Sequence, residues 1–432
     1  MNETDSDKSL STETDASTLP ATGGWIDRWL RQRIIDSLAA LQGGRVTLQE
    51  GDQAQTLGDD DPQALQATIE VIDPAFYRQV ALGGSVGAGE AYMAGHWRCT
   101  ELTTLIRILA RNRALLDRLE GGTAWVSSLA NKGLHWLNRN SSKGSRKNIA
   151  AHYDLGNDLF ERMLDQTMMY SCAFFEHSYD SLQQASLNKL DRICRKLELS
   201  PDDHVIEIGA GWGGFAIHAA RHYGCRVTTT TISQEQYDFA QQRIRAAGLG
   251  DRVELLFEDY RKLEGQYDKL VSIEMIEAVG HQYLDTYLKQ CSDLLKADGS
   301  MLLQAITIED QRYAHAIKEA DFIKRYIFPG SFIPSVAAIN QSLARVSDLR
   351  LTDLEDIGLH YAQTLRLWRE QFFAHQGALE ARGYDATFQR MWEFYLCYCE
   401  GGFLERSISD VQMLLTKPRC RNWQSLAGVI PQ

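Results

Sequence analysis

The chain has 432 residues, of which 44% are hydrophobic and 24% are charged, and this composition indicates a globular protein of about two domains. A formal net charge of −12 argues against nucleic acid as a partner of the whole protein. The sequence contains no apolar run of 18 residues, so no transmembrane helix is expected.

The start of the chain, 1–22, is acidic and polar and lacks the basic and apolar regions of a signal peptide. We predict a disordered tail here, because the segment holds too little apolar surface to order itself. The cytoplasm is therefore the expected compartment. The eight cysteines show no C-x-x-C spacing, so the sequence predicts neither a disulfide framework nor a metal site.

Residues 23–120 mix helical and strand patterns, which predicts a small α+β accessory domain without a catalytic constellation. Apolar residues recur at helical spacing from Trp25 to Leu38. Two alternating stretches, 45–50 and 67–72, predict a small sheet. A glycine-rich stretch, 83–89, then leads to a second predicted helix at 102–119.

Residues 121–147 form a predicted basic linker with five Lys and Arg side chains and no acidic one. Trp125 and Trp136 are interleaved with these charges. Two interpretations stay open. The segment is either a solvated linker with one packed helix, or a contact with a membrane surface, where each cation contributes about 1 kcal/mol near anionic headgroups.

From residue 204 onward, predicted strands alternate with predicted helices, which is typical of a parallel sheet flanked by helices. The strands are predicted at 204–208, 225–231, 253–256, 270–274 and 300–306, and the helices at 233–247 and 282–295. Ser233 is the predicted N-cap of the first of these helices.

A glycine-rich turn, 209–214, follows the first of these strands and opens a helix, where a backbone can approach a ligand closely. Dinucleotide enzymes and methyltransferases share such turns. A dinucleotide fold would place an acidic residue after the second strand, but 229–233 contains none. Glu207 can bond a cationic amine or, alternatively, cap the next helix. Phe257 and Glu258 suit an adenine ring and its exocyclic amine, so a methyltransferase is favoured over an oxidoreductase.

Several motifs then appear in order: His152-Tyr-Asp-Leu-Gly-Asn157, Tyr170-Ser-Cys172, Gly209-Ala-Gly-Trp-Gly-Gly214 and Ser272-Ile-Glu-Met-Ile-Glu277. Over about 147–432 the chain closely resembles the cyclopropane-fatty-acyl-phospholipid synthase family, which includes the mycolic acid cyclopropane synthases. The resemblance implies a class I S-adenosylmethionine-dependent methyltransferase fold, Rossmann-like with a mostly parallel seven-stranded sheet and a helical cap. It also implies an enzyme that forms cyclopropane rings on unsaturated phospholipid acyl chains.

The resemblance assigns the site residues by position. It places eight residues against S-adenosylmethionine: Tyr170, Ser171, Gly209, Gly211, Thr231, Gln236, Phe257 and Glu258. It also implies a bicarbonate ion near the sulfonium, with ligands at Cys172, Glu277, the backbone of Ile306, and Tyr361. Cys399 matches a further cysteine of the family's active site, although a buried structural thiol is the alternative.

Gln304 departs from the family pattern, because many members have histidine there among the bicarbonate ligands. A glutamine can exchange hydrogen bonds but cannot carry charge or move a proton. The glutamine therefore bears on two expectations, the use of bicarbonate and the formation of a ring as the final product. A hydride shift that gives a methyl- or methylene-branched chain is therefore kept as the alternative to ring closure.

The implied chemistry makes stringent demands. Attack of an alkene on the sulfonium methyl leaves a carbocation, which needs a dry site, nearby negative charge and a base. Glu277 or bicarbonate can supply the charge and the base, and Tyr361 can orient that base. Cys172 is interpreted as a polar lining residue, since no covalent enzyme intermediate is needed. The rival from another class is a lipid-binding protein without turnover.

The expected partner is an unsaturated phospholipid, reached by peripheral association with the inner face of the membrane, and a homodimer is a further expected assembly. An insertion at 307–348 carries many apolar side chains, of which Phe322, Tyr326 and Phe328 are examples. Part of this surface is predicted to line an acyl tunnel, and the alternative is a helical cap with its own core.

Overall fold

The structure is a computed structural model that describes residues 24–115 and 156–421. The predicted tail 1–22 and basic linker 121–147 therefore lie outside the described residues. The amino-terminal part builds one sheet from four strands: β1 Gly44–Glu50, β2 Gln53–Gly58, β3 Leu65–Val71 and β4 Trp97–Arg98. Their order is β2-β1-β3-β4, with β1 antiparallel to β2 and parallel to β3.

Three helices pack with this sheet: α1 Trp25–Ala39, α2 Ala75–Met93 and α3 Leu102–Arg111. The glycine-rich stretch 83–89 lies inside α2 and not ahead of a helix, since only Gly84 leaves helical geometry, with φ of 54° that kinks the helix. At Gly89 an added Cβ would lie 2.4 Å from the Phe322 ring, so this glycine permits close packing.

The predicted helix 102–119 is interrupted at Asn112, and residues 113–115 are helical again. Helix α3 ends at Arg111, because the side-chain amide of Asn112 donates to the carbonyl oxygens of Ile108 at 2.8 Å and Gln42 at 2.9 Å. These bonds compete with helix continuation. Residues 116–119 lie outside the described part of the chain.

The second sheet has seven strands: β5 His204–Ile208, β6 Arg226–Thr231, β7 Val253–Phe257, β8 Tyr267–Ile273, β9 Leu295–Ile308, β10 Arg350–Asp356 and β11 Ile408–Thr416. Their order is β10-β11-β9-β8-β5-β6-β7. Strands β5 to β9 pair in parallel, whereas β11 is antiparallel to β9 and to β10. The predicted fold class is confirmed. The five predicted strands are present, the first with the predicted bounds 204–208 and the other four with shifted ends.

Within residues 156–421, ten further α-helices surround this sheet: α4 Asn157–Met163, α5 Leu182–Lys196, α6 Gly214–His222, α7 Gln234–Ala246, α8 Leu284–Asp293, α9 Asp310–Ala316, α10 Val336–Val346, α11 Gly358–Ala374, α12 Gln376–Glu380 and α13 Ala386–Leu404. Ser233 caps α7 as predicted, since its Oγ accepts from the Gln236 amide at 3.3 Å. A π-helical turn, Ile323–Ile327, lies between α9 and α10.

The two sheets are joined through helix packing, because α3 lies against α13. Arg369 of α11 donates to Thr103 of α3 at 2.7 Å and forms an ion pair with Glu400 of α13. Thr103 also donates to Glu400 at 2.9 Å. The amino-terminal helices therefore brace α11 and α13, which cover the site described next.

Candidate active site

The carboxyl ends of the parallel strands bring five predicted positions to one edge of the sheet, where ligands bind in open α/β folds. Glu207 lies near the end of β5, and Gly209 and Gly211 follow it. Thr231 ends β6 and Phe257 ends β7.

The glycine turn adopts backbone angles that require glycine. Gly209 has φ of 100° and Gly211 has φ of 50°. The Ala210 amide donates to the Thr230 carbonyl at 2.8 Å, which fixes the turn on β6. A Cβ built on Gly211 would meet no atom within 4 Å, so the turn has an open face toward which a ligand can approach.

Glu207 is a buried carboxyl that accepts a hydrogen bond from Thr229 Oγ1 at 2.6 Å. Burial raises the pKa of Glu207 to about 8, while the Thr229 bond and buried Lys189 lower it. The helix-capping alternative is wrong, because α6 has Gly213 at its N-cap and no side-chain cap bond.

The other residues expected at the cofactor lie around this edge. Thr231 Oγ1 donates to Gln236 Oε1 at 2.9 Å, which links β6 to α7. The Phe257 side chain is 40% exposed, so a flat face remains accessible. Glu258 is half exposed and pairs with Lys262 at 3.4 Å.

Tyr170 and Ser171 approach from the segment before α5. The hydroxyls of Tyr170 and Tyr395 lie 2.8 Å apart, and the Tyr170 ring lies 5.0 Å from Trp368, measured between centroids. Ser171 Oγ accepts from the buried Lys189 Nζ at 2.6 Å. Burial lowers the pKa of Lys189. The sequence reasoning missed this lysine, because its surroundings in α5 carry no motif.

Glu274, which sequence reasoning also missed, lies at the centre of the site. Its Oε1 accepts from the Cys172 amide at 2.7 Å and from Gln304 Nε2 at 2.9 Å, and its Oε2 accepts from the Tyr361 hydroxyl at 2.7 Å. Glu274 directly follows β8, the neighbour of β5, and a polar residue at that strand end was a usable signal.

Asp410, a residue of β11, provides a second carboxyl group at this site. Gln304 Nε2 donates to Asp410 Oδ2 at 2.9 Å, and Gln304 Oε1 accepts from Gln412 at 3.1 Å. Burial and the negative charge of Glu274 raise the pKa of Asp410 well above its usual range. Burial raises the pKa of Glu274 as well, but its three donors oppose the shift. Within this pair, the stronger upward shift of the pKa therefore falls on Asp410.

Glu277 provides a third carboxyl. Its Oε1 accepts from the Ile306 amide at 2.6 Å, and within the described chain its buried Oε2 has no hydrogen-bond partner. Burial, reinforced by the charge of Glu274, raises the pKa of Glu277 to about 8. A buried carboxyl oxygen with a free lone pair is suited to accept a proton.

The structure thus brings five of the predicted catalytic residues together and leaves one aside. The residues that converge are Cys172, Glu277, Gln304, Ile306 and Tyr361. The Cys172 thiol donates to the Ala173 carbonyl at 3.2 Å, and burial raises its pKa well above the usual range, which disfavours a thiolate nucleophile. Cys399 makes no hydrogen bond to this cluster within the described residues.

The insertion 307–348 divides into two sets of apolar side chains. Four are buried in the two largest hydrophobic clusters of the protein, so they pack with the rest of the chain and not in a separate core of the cap: Phe322, Ile327, Phe332 and Ile339. Ile323 and Phe328 are half buried, and the Phe328 ring centroid lies 6.4 Å from that of Tyr170. The acyl tunnel stays a prediction, for which Phe328 is the best-placed lining residue.

Comparison with known proteins adds independent findings. The family model for mycolic acid cyclopropane synthetase matches residues 140–413. The chain is 39% identical to tuberculostearic acid methyltransferase of Mycobacterium tuberculosis over 378 residues, which is 83% of this chain and 85% of the relative. It is 37% identical to cyclopropane-fatty-acyl-phospholipid synthase of Escherichia coli over 81% of this chain and 88% of that protein.

A solved structure is also similar. The crystal structure of a mycolic acid cyclopropane synthase complexed with SAH and CTAB superposes with a TM-score of 0.59 at 30% identity. The superposition covers 63% of this chain and 98% of that one.

Proposed function

Because this chain belongs to the mycolic acid cyclopropane synthetase family, we propose that it converts the cis double bond of an unsaturated phospholipid acyl chain into a cyclopropane ring. The coarser activity follows from the relatives. The protein is an S-adenosylmethionine-dependent enzyme that adds a carbon to lipid acyl chains, by cyclopropanation or methylation.

The residues at the strand ends fit the cofactor. S-adenosylmethionine, when bound, supplies an electrophilic methyl group on a cationic sulfonium. Glu207 can take its amine, because a cation beside this buried carboxyl lowers the pKa that burial has raised and so favours the carboxylate. The open face of Gly211 admits the ligand backbone, and the exposed Phe257 ring can cover the adenine.

The buried carboxyl cluster is the observation that carries the proposal. Glu274, Glu277 and Asp410 converge beside the aromatic rings of Tyr170 and Trp368. After methyl transfer the acyl chain holds a carbocation. The Glu274 carboxylate stabilises it, and the apolar surroundings protect it from water.

Ring closure needs one proton transfer. We assign Glu277 Oε2 as the acceptor, because it is buried and unpartnered among the described residues. The C–H bond of the newly added methyl breaks, its electron pair forms the second carbon–carbon bond of the ring, and the proton passes to the carboxylate. Tyr361 holds Glu274 in position through its hydroxyl.

A membrane phospholipid requires peripheral docking at the inner face of the membrane. No helix in the described ranges combines the length and the apolarity needed to cross a bilayer. Helix α1 instead exposes Trp25 by 73% and Trp29 by 51%, next to the exposed Arg28. Indole rings beside arginine are suited to the interface of an anionic bilayer.

A branched product is the second candidate. Two observations favour it: the relative at 39% identity is named a tuberculostearic acid methyltransferase, and Gln304 stands where many members of the family have histidine. A hydride shift would then move the cation before the proton leaves.

The test uses purified protein, ¹³C-methyl-labelled S-adenosylmethionine and vesicles of a monounsaturated phospholipid. We expect one CH₂ unit to be added per acyl chain. NMR of the labelled carbon separates the ring from a methylene branch, which has the same mass. Glu277→Gln should lower the rate at least about 100-fold, the size of a general-base contribution.

Two results would contradict this function. If the protein transfers no methyl group to any unsaturated lipid, it is not this enzyme, and a lipid-binding protein without turnover becomes the better interpretation. Equal product from wild type and Glu277→Gln, with cofactor binding retained in both, would remove Glu277 from the proton transfer.

A further inference from the structure

The donors expected around bicarbonate are already bonded to carboxylates of the chain. Three of them donate to Glu274: the Cys172 amide at 2.7 Å, Gln304 Nε2 at 2.9 Å and the Tyr361 hydroxyl at 2.7 Å. The fourth, the Ile306 amide, donates to Glu277 Oε1 at 2.6 Å. An additional anion would therefore find its donors occupied, so the residues present do not fit the ion.

Charge leads to the same conclusion. Glu274, Glu277 and Asp410 already form a buried acidic cluster, and Lys189 is the buried cation that interacts with it. A further anion in this space of low dielectric constant would be repelled by the Glu274 carboxylate, and its own desolvation would oppose binding.

The backbone at Glu274 is unusual for a side chain of this size. Its φ of 47° lies in the left-handed region, which favours glycine. Such a conformation costs of order 1–3 kcal/mol and persists where the surrounding structure holds it in place. The bonds that this carboxylate makes identify the function as the placement of an anion.

We propose that the Glu274 carboxylate is the built-in anion of this active site, occupying the position expected for bicarbonate, so that turnover requires no bicarbonate. The inference rests on the proposed function and makes it more specific. Glu274 holds a fixed negative charge beside the reacting carbons, and Glu277 remains the proton acceptor.

The experiment compares three variants with the wild type in CO₂-stripped buffer, with and without added bicarbonate. Glu274→Gly removes the carboxylate, leaves room for a small anion and suits the positive φ. Glu274→Gln removes the charge but fills the space. Glu198→Gly is the matched control, because Glu198 is an exposed glutamate outside the site with φ of 51°.

We expect the wild type and Glu198→Gly to turn over at the same rate with or without bicarbonate. Glu274→Gly should lose about 100-fold or more in rate without the ion, as when a preorganised electrostatic group is removed. Added bicarbonate should restore its rate at least tenfold with a saturable dependence, whereas equimolar chloride should not. Glu274→Gln should be slow and should not respond to bicarbonate.

Three outcomes would overturn the inference. They are a wild-type rate that falls on removal of CO₂, a Glu274→Gly rate equal to the wild type without bicarbonate, and a folded, cofactor-binding Glu274→Gly that bicarbonate never restores. Thermal unfolding and cofactor affinity verify that the variant is intact. The first outcome needs no variant, so the inference is testable even if substitution disrupts folding. A wild type that modifies no lipid contradicts the proposed function instead.

Discussion

At the scale of single residues, burial sets the protonation of the carboxyl groups at this site. Glu207 and Glu277 both have a pKa raised to about 8, and for both the main cause is the loss of solvent around the charged form. Below pH 8 each group holds a proton in the free protein. A bound cation favours ionisation, so cofactor binding and proton release are linked.

This linkage predicts the behaviour of Glu207. Near pH 7 its carboxyl is protonated, and pairing with the cofactor amine should release about one proton. Affinity for the cofactor should therefore increase as pH increases toward 8. Titration calorimetry in two buffers of different ionisation enthalpy measures the number of protons released.

The comparison variant is Glu207→Gln, which cannot ionise. It should release about one proton fewer than the wild type and bind the cofactor about 2 kcal/mol more weakly, roughly 30-fold in Kd. The same proton release from both proteins would place the cofactor amine elsewhere.

At the scale of elements, the contact between α3 and α13 depends on a glycine. A Cβ on Gly401 would lie 2.6 Å from Ile106 Cγ2 and 2.9 Å from Ile106 Cβ. The absence of a side chain therefore allows the two helices to approach closely, next to the Arg369–Glu400 ion pair.

Gly401→Ala should lower the free energy of unfolding by about 1–3 kcal/mol, the usual cost of overpacking. Gly377→Ala is the control, because a Cβ on Gly377 meets no atom within 4 Å and the glycine also lies in a helix. The control should be neutral or more stable by about 0.5–1 kcal/mol. Chemical denaturation measures both changes, and an equal response would show that the helices separate without cost.

At the scale of the whole molecule, net charge and membrane contact have to be reconciled. The total of −12 opposes binding to anionic lipid, so docking needs a local surface that differs from the average. Helix α1 offers one, with Trp25, Ile26 and Trp29 exposed and the Arg33 guanidinium 5.0 Å from the Trp29 ring.

Replacing both Trp25 and Trp29 with alanine should weaken binding to anionic unsaturated vesicles at least about tenfold, equivalent to about 1.4 kcal/mol. Vesicle co-sedimentation measures the change. Tyr179→Ala, at a ring that is 80% exposed outside α1, should bind as the wild type does. Unchanged binding of the double variant would assign docking to another surface.

The sequence by itself determined the features that depend on neighbours along the chain. Strand periodicity predicted β5 to β9, the glycine turn identified the cofactor edge, and Ser233 marked the start of α7. These signals are local, because a pattern of apolar residues or a capping side chain acts within a few positions. The family motifs extended them to the activity and to most of the site residues.

Only the tertiary structure decided which side chains of the site form hydrogen bonds with one another. Asp410 reaches Gln304 because β11 pairs antiparallel with β9, and Glu274 reaches Tyr361 because the first turn of α11 lies beside the residue that follows β8. Distances between residues of separate strands and helices depend on sheet order, register and helix packing. No local pattern encodes these, which is why Glu277 was identified from its motif while the central role of Glu274 required the fold.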